Sequence, residues 1–174
     1  MKVFFLSLII SIFSLSLANA EKPTSNTFSL EFNKMKALAG NWQGKIKDKS
    51  KVSTIKVNYK VSSGGSSVVE TLFPGTPQEM VSIYTEVDGK LNMTHYCALQ
   101  NQPTLRLMNS TANTLEFDYV NGQNLNVKQD AHMHSLKLSF KDKNTLLQQW
   151  TQFKNGKAAG AHNFTLSRAA SSNQ

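Results

Sequence analysis

The chain has 174 residues, with 19 Lys and Arg against 11 Asp and Glu, four prolines and one cysteine. A 40% hydrophobic share at this length supports one domain with a real core, and 17% charged residues is too few for a disordered polyelectrolyte. One cysteine excludes an internal disulfide framework and any zinc module built on several cysteines.

The chain opens with Met1-Lys2, continues through an apolar run from Val3 to Leu17 and reaches Ala18-Asn19-Ala20 before Glu21. A basic start, an apolar segment and a small-x-small exit predict a cleaved secretory signal peptide over residues 1–20. The run is short for a membrane span and carries Ser7, Ser11, Ser14 and Ser16. The expected product is exported, periplasmic or extracellular, and has no transmembrane anchor. Loss of Lys2 lowers the formal net charge from +8 to +7. In an oxidising compartment the lone thiol of Cys97 has to be buried, bonded to a partner or bound to something.

Residues 21–29 are polar and read as a flexible lead-in. Phe32, Met35 and Leu38 then recur at helical spacing ahead of Gly40, predicting a short helix over 30–39. Beyond Gly40 the period changes to two. Strand-like runs follow at 41–47, 51–61, 66–73, 79–88, 91–99, 103–109, 114–120, 131–141, 144–154 and 157–168. The punctuation includes Ser62-Ser63-Gly64-Gly65, Pro74-Gly75-Thr76-Pro77, Asp88-Gly89, Asn121-Gly122 and Asn155-Gly156, of which the Asp-Gly and Asn-Gly pairs are hairpin signals. This predicts an all-β fold: a single antiparallel up-and-down β-barrel of about ten strands with one short N-terminal helix, over residues 30–169, and a disordered tail at 170–174.

Alternation assigns faces. Ile55, Val57, Tyr59 and Val61 form one inward set, and Leu91, Met93, His95, Cys97 and Leu99 a second. His132, His134, Leu136, Leu138 and Phe140 form a third, with His162, Phe164 and Leu166 a fourth. All four histidines and the cysteine are therefore expected to point inward.

Gly40-Asn41-Trp42, opening the first strand after a short helix, resembles the Gly-x-Trp signature of lipocalins and their calycin relatives. The mature chain is similar to a family of uncharacterised bacterial calycin-like proteins. The similarity lies in Phe32–Gly44 (FNKMKALAGNWQG), Ser63–Gly75 (SGGSSVVETLFPG), Glu79–Tyr84 (EMVSIY), Thr94–Pro103 (THYCALQNQP), His132–His134 (HMH) and Phe164–Arg168 (FTLSR). The resemblance implies a barrel related to the fatty-acid-binding and haem-binding nitrobindin-like proteins, although Lys45 stands where the nitrobindin opening has a further glycine. It also implies that Arg168 packs on Trp42 by a cation–π contact and closes one end of the barrel.

The expected function is binding of a small, partly apolar ligand in a cavity lined by Tyr59, Met93, His95, Cys97, Tyr119, His132, His134 and His162. The alternative uses the same interior for a metal or haem. His95-x-Cys97 and His132-x-His134 each place two donors on one strand face, a ligand set suited to zinc or a similar metal, with His162 as a further donor. Haem needs only one inward imidazole, and His132, His134 and His162 are candidates. Cys97 beside His95 offers a thiol and an imidazole without a third orienting group, so no catalytic residue is assigned. Asn101-Gln102-Pro103 reads as a turn. Lys34, Lys36, Lys45, Lys47, Lys49, Lys51, Lys56 and Lys60 concentrate the basic excess near the first hairpin, where an anionic surface is a possible partner. Nucleic acid is not expected, because no groove interleaving basic and aromatic residues is visible.

Overall fold

The computed structural model describes residues 28–48 and 51–170. The expected leader at 1–20, most of the lead-in and nearly all of the tail lie outside the described residues. One helix, α1 (Leu30–Ala37), precedes ten strands: β1 (Gly40–Asp48), β2 (Lys51–Ser62), β3 (Ser67–Leu72), β4 (Met80–Val87), β5 (Lys90–Tyr96), β6 (Gln102–Ser110), β7 (Thr114–Gln123), β8 (His132–Asp142), β9 (Thr145–Lys154) and β10 (Lys157–Arg168). Each strand pairs antiparallel with its neighbours in sequence, and β1 pairs with β10, so the sheet closes as a barrel without edges.

The helix closes one end. Ser29 caps it by accepting from the Phe32 amide, and Phe32, Met35 and Leu38 are buried against the barrel core. Trp42 Nε1 donates to the Leu38 carbonyl, and the Arg168 guanidinium lies 4.4 Å from the Trp42 ring centroid. The same guanidinium donates to the Ala37 and Ala39 carbonyls at 2.9 and 2.7 Å, satisfying groups that the helix end leaves open. Gly40 adopts φ +126°, and any Cβ there would press on Arg168 Nη1, so the glycine of the Gly-x-Trp stretch is required twice over.

The turns at Asp88-Gly89 and Asn155-Gly156 have positive φ at both residues, as their sequences predict. Asn121-Gly122 does not turn the chain. Both residues continue β7, paired with Thr104 and Pro103, and the reversal comes later around Asn126, whose carbonyl accepts from the Gln129 and Asp130 amides. Gln102 and Pro103 likewise belong to a strand. The turn before them is Cys97–Gln100, closed by Gln100 N–H donating to the Cys97 carbonyl.

The β2–β3, β4–β5, β6–β7 and β8–β9 turns gather around the helix end, where Lys34 reaches the Thr111 carbonyl and Arg168 the Lys143 carbonyl. The β3–β4, β5–β6, β7–β8 and β9–β10 connections lie at the opposite mouth. Among the described residues, no helix is long and apolar enough to cross a membrane.

Candidate functional site

Four adjacent strands place Tyr59, Glu70, Ser82 and His95 in one lateral row: Tyr59 opposes Glu70, Glu70 opposes Ser82, and Ser82 opposes His95. All four are buried, and each is flanked on its own strand by apolar residues of the inward face, such as Val57, Leu72, Tyr84 and Met93. Buried polar groups persist only when they are hydrogen-bonded. Here Glu70 accepts from the Tyr59 hydroxyl at 2.7 Å, from the Tyr84 hydroxyl at 3.0 Å and from Gln148 Nε2, which reaches across from β9. Gln148 Oε1 in turn accepts from Trp150 Nε1 at 3.1 Å.

Burial pushes the Glu70 carboxyl above its usual range, and the hydrogen bonds from Tyr59, Gln148, Ser82 and Tyr84 oppose that rise by favouring the anion. Burial, with the neighbouring carboxylate, also lifts the Tyr59 and Tyr84 hydroxyls well above their ordinary values, so both remain donors at any physiological pH.

The row ends at His95. Its Nδ1 lies 3.0 Å from Ser82 Oγ, while the opposite nitrogen, Nε2, is buried and has no hydrogen-bond partner. Burial lowers its pKa to about 4, so the imidazole is neutral at pH 7. The ring packs on Trp150 with centroids 4.9 Å apart. Both line a cavity of about 140 Å³ whose other walls are Leu72, Phe73, Met80, Met133, His162 and Phe164. Phe73 and Met80 flank the β3–β4 turn and Met133 is the second residue of β8, which places this cavity at the mouth opposite the helix. Apart from the two imidazoles, the lining is hydrophobic.

No protein-family model matches the chain, and no curated protein does. The closed ten-stranded antiparallel barrel is consistent with a calycin-like fold.

Of the eight residues expected to line a ligand cavity, His95 and His162 line this one. His162 keeps the inward phase of Phe164 and Leu166 and pairs opposite Trp150, yet it is exposed at the rim. β1 pairs with β10 only at Leu166, Ser167 and Arg168, so the inward face of the earlier part of β10 is less covered and alternation there does not imply burial. Tyr59 belongs to the Glu70 cluster and Met93 to the packed core. Cys97 departs from its expected place on the strand face: β5 ends at Tyr96, and Cys97 is half-buried in the following turn, where burial raises the thiol pKa. Leu99 of the same expected inward set is exposed.

Tyr119, His132 and His134 form a separate aromatic group with Phe153. His134 stacks on Phe153 at 3.8 Å and on Tyr119 at 5.3 Å. His132 Nδ1 lies 3.0 Å from the Asp130 carbonyl, and its Nε2 lies 2.9 Å from His134 Nδ1. His134 Nε2 faces Asp118 at 3.7 Å, and burial lowers the His134 pKa. A register shift between Met133 and Ser135 explains the separation: it changes the phase of β8, and Met133 faces the cavity in place of its neighbours. Among the described residues, no three His, Cys, Asp or Glu side chains are grouped to hold a metal ion.

Asn101 is also buried. Its Nδ2 donates to the Ala131 carbonyl at 2.8 Å, tying the β5–β6 turn to the start of β8. The inward direction of Glu70 follows from alternation, whereas its partners Ser82 and Gln148 are left unassigned by it. Their signal is a polar residue interrupting an apolar alternation, as in Val68-x-Glu70-x-Leu72 and Leu146-x-Gln148-x-Trp150.

Proposed function

We propose that this is an exported binding protein that holds a compact, largely apolar molecule in the mouth cavity, anchored by one hydrogen bond to His95 Nε2. The observation that carries this reading is the unpartnered, buried nitrogen at an otherwise hydrophobic cavity. A buried polar atom without a partner costs about 1–3 kcal/mol, and a ligand supplying the missing partner recovers part of that cost. At about 140 Å³ the cavity suits a single-ring molecule, since roughly 150 Å³ of apolar space admits benzene. Sites for drug-sized ligands occupy about 300–1,000 Å³, so an extended fatty acid or a haem macrocycle fits this cavity poorly. A zinc-like site has less support, because His132 and His134 face each other's nitrogens and stand apart from the cavity wall.

Titration of the purified protein with phenol, followed by tryptophan fluorescence and native mass spectrometry, tests the reading. Saturable one-to-one binding, blocked by Met133→Trp, is expected. Phenol that fails to bind, or binds equally well to Met133→Trp, overturns it. Export rests on residues 1–20, and recovery of a chain beginning at Glu21 from the periplasm or medium is the expected result.

A further inference from the structure

The wall of the mouth cavity gathers side chains of one chemical kind. His95, whose buried Nε2 has no hydrogen-bond partner, shares that wall with two thioethers, Met80 and Met133, and a second imidazole, His162. The register explains why they meet. Ser82 opposes His95, so Met80, two residues earlier on β4, is the diagonal neighbour of His95. Such neighbours lie about 7–8 Å apart, within reach of a long side chain. Trp150 packs on His95, and His162 stands directly opposite Trp150 on β10. Met133 pairs with Gln152, two residues from Trp150, and so approaches the same ring diagonally from β8.

We propose that the cavity is a binding site for a soft monovalent metal ion, Cu(I), held by His95 Nε2 and the sulfurs of Met80 and Met133, with His162 at the rim. Thioethers select Cu(I) over zinc, which prefers thiolate, imidazole and carboxylate ligands, and imidazole serves both ions. The cavity wall has no Asp, Glu or Cys. Neutral donors leave the charge of the ion uncompensated, and the cost of burying it rises with the square of that charge, which favours a monovalent ion over a divalent one. The Trp150 ring on the same wall adds an aromatic surface that attracts a cation. Coordination through Nε2 places the imidazole hydrogen on Nδ1. Ser82 Oγ can accept that hydrogen as well as donate its own, so the contact between them survives. Methionine turns about three side-chain bonds, and both sulfurs can therefore close on the ion without moving the strands. The site goes beyond the organic-ligand reading and does not depend on it; the two occupants would exclude each other, because both use Nε2.

Silver(I), which has the same ligand preferences and is redox-inert, is the probe, added as the nitrate in chloride-free buffer. The one thiol, Cys97, also binds silver, so the titration uses Cys97→Ser, or the unaltered protein with its thiol alkylated should that variant fail to fold. Native mass spectrometry counts the bound ions, and ¹³C NMR of the methionine methyl groups locates them. The expected result is one Ag(I) per chain, with the Met80 and Met133 signals shifted and those of the core Met93 and the exposed Met108 unchanged. Met80→Leu and Met133→Leu nearly conserve volume and should each weaken binding at least about tenfold. Cu(I) should bind with the same stoichiometry in anaerobic competition with bicinchoninate. Absence of Ag(I) once the thiol is removed, or undiminished affinity in either leucine variant, overturns the proposal, and so does Zn(II) binding as tightly as Ag(I). Should a leucine variant fail to fold, the methyl signals decide.

Discussion

Ser82 Oγ and His95 Nδ1 lie 3.0 Å apart on neighbouring strands, in the same lateral row as the buried Glu70 and beside the mouth cavity that His95 lines. This contact assigns His95 a different setting from the other three histidines. His132 and His134 face each other, His162 sits at the rim, and His95 alone among them ends a buried hydrogen-bonded row.

Acid should weaken the fold through His95. Its folded pKa of about 4 lies below the ordinary 6.5, so the unfolded chain takes up the proton first. The contribution is fully present above pH 6.5 and lost as the pH falls toward 4, by about 3 kcal/mol at most. Urea unfolding at pH 7 and pH 4.5 should show a smaller difference in His95→Phe than in the unaltered protein. An equal difference would place the acid sensitivity elsewhere.

Glu70 acts with the opposite sign. Its folded pKa is raised, so the neutral carboxyl is favoured and stability is lost as the pH rises from 4.5 through the raised value. Glu70→Leu should cost on the order of 3 kcal/mol, because two tyrosine hydroxyls and the Gln148 amide lose their acceptor. Glu70→Gln keeps one acceptor oxygen, should cost less, and should abolish that pH-dependent loss. Adding Tyr84→Phe to Glu70→Leu should restore about 1 kcal/mol, and strict additivity in that cycle would argue against the buried cluster.

Arg168→Ala removes the contact with Trp42 and the bonds to the Ala37 and Ala39 carbonyls. A loss of about 2 kcal/mol is expected from the urea midpoint. Arg168→Lys should recover less than half, since an ammonium lacks the planar fork that spans both carbonyls.

Gly44 lies on the seam where β1 meets β10, paired with Leu166. A Cβ there would collide with the Thr165 carbonyl, a backbone atom that cannot swing aside. Gly44→Ala should cost about 2 kcal/mol, while an alanine at Gly89, whose Cβ would meet open space, should cost only its positive-φ penalty of about 1 kcal/mol. Equal losses in thermal unfolding would show that the seam has room to yield.

All ten strands and the helix are legible in the alternation and the turn residues, most to within a residue or two of their ends. Asp88-Gly89 and Asn155-Gly156 mark turns because their local backbone preference meets no competing demand. Asn121-Gly122 carries the same signal and is overruled by pairing with Thr104 and Pro103. The candidate site is less legible. Gln148 and Glu70 are 78 residues apart in the chain, and no local pattern announces that their side chains meet.

The single cysteine, the histidine spacing and the period-two apolar pattern are properties of the sequence, and they determine an antiparallel sheet with polar side chains on its inner face, because side-chain direction along a strand is local. Only the closed barrel decides which of those side chains converge. A register shift in β8 faces Met133 toward the cavity and sets His132 and His134 apart, a turn takes Cys97 off its strand, and the lateral register brings Tyr59, Glu70, Ser82 and His95 into one row. Register and bulges depend on pairing between distant segments, so the cavity and its one unpartnered nitrogen exist only at the tertiary level.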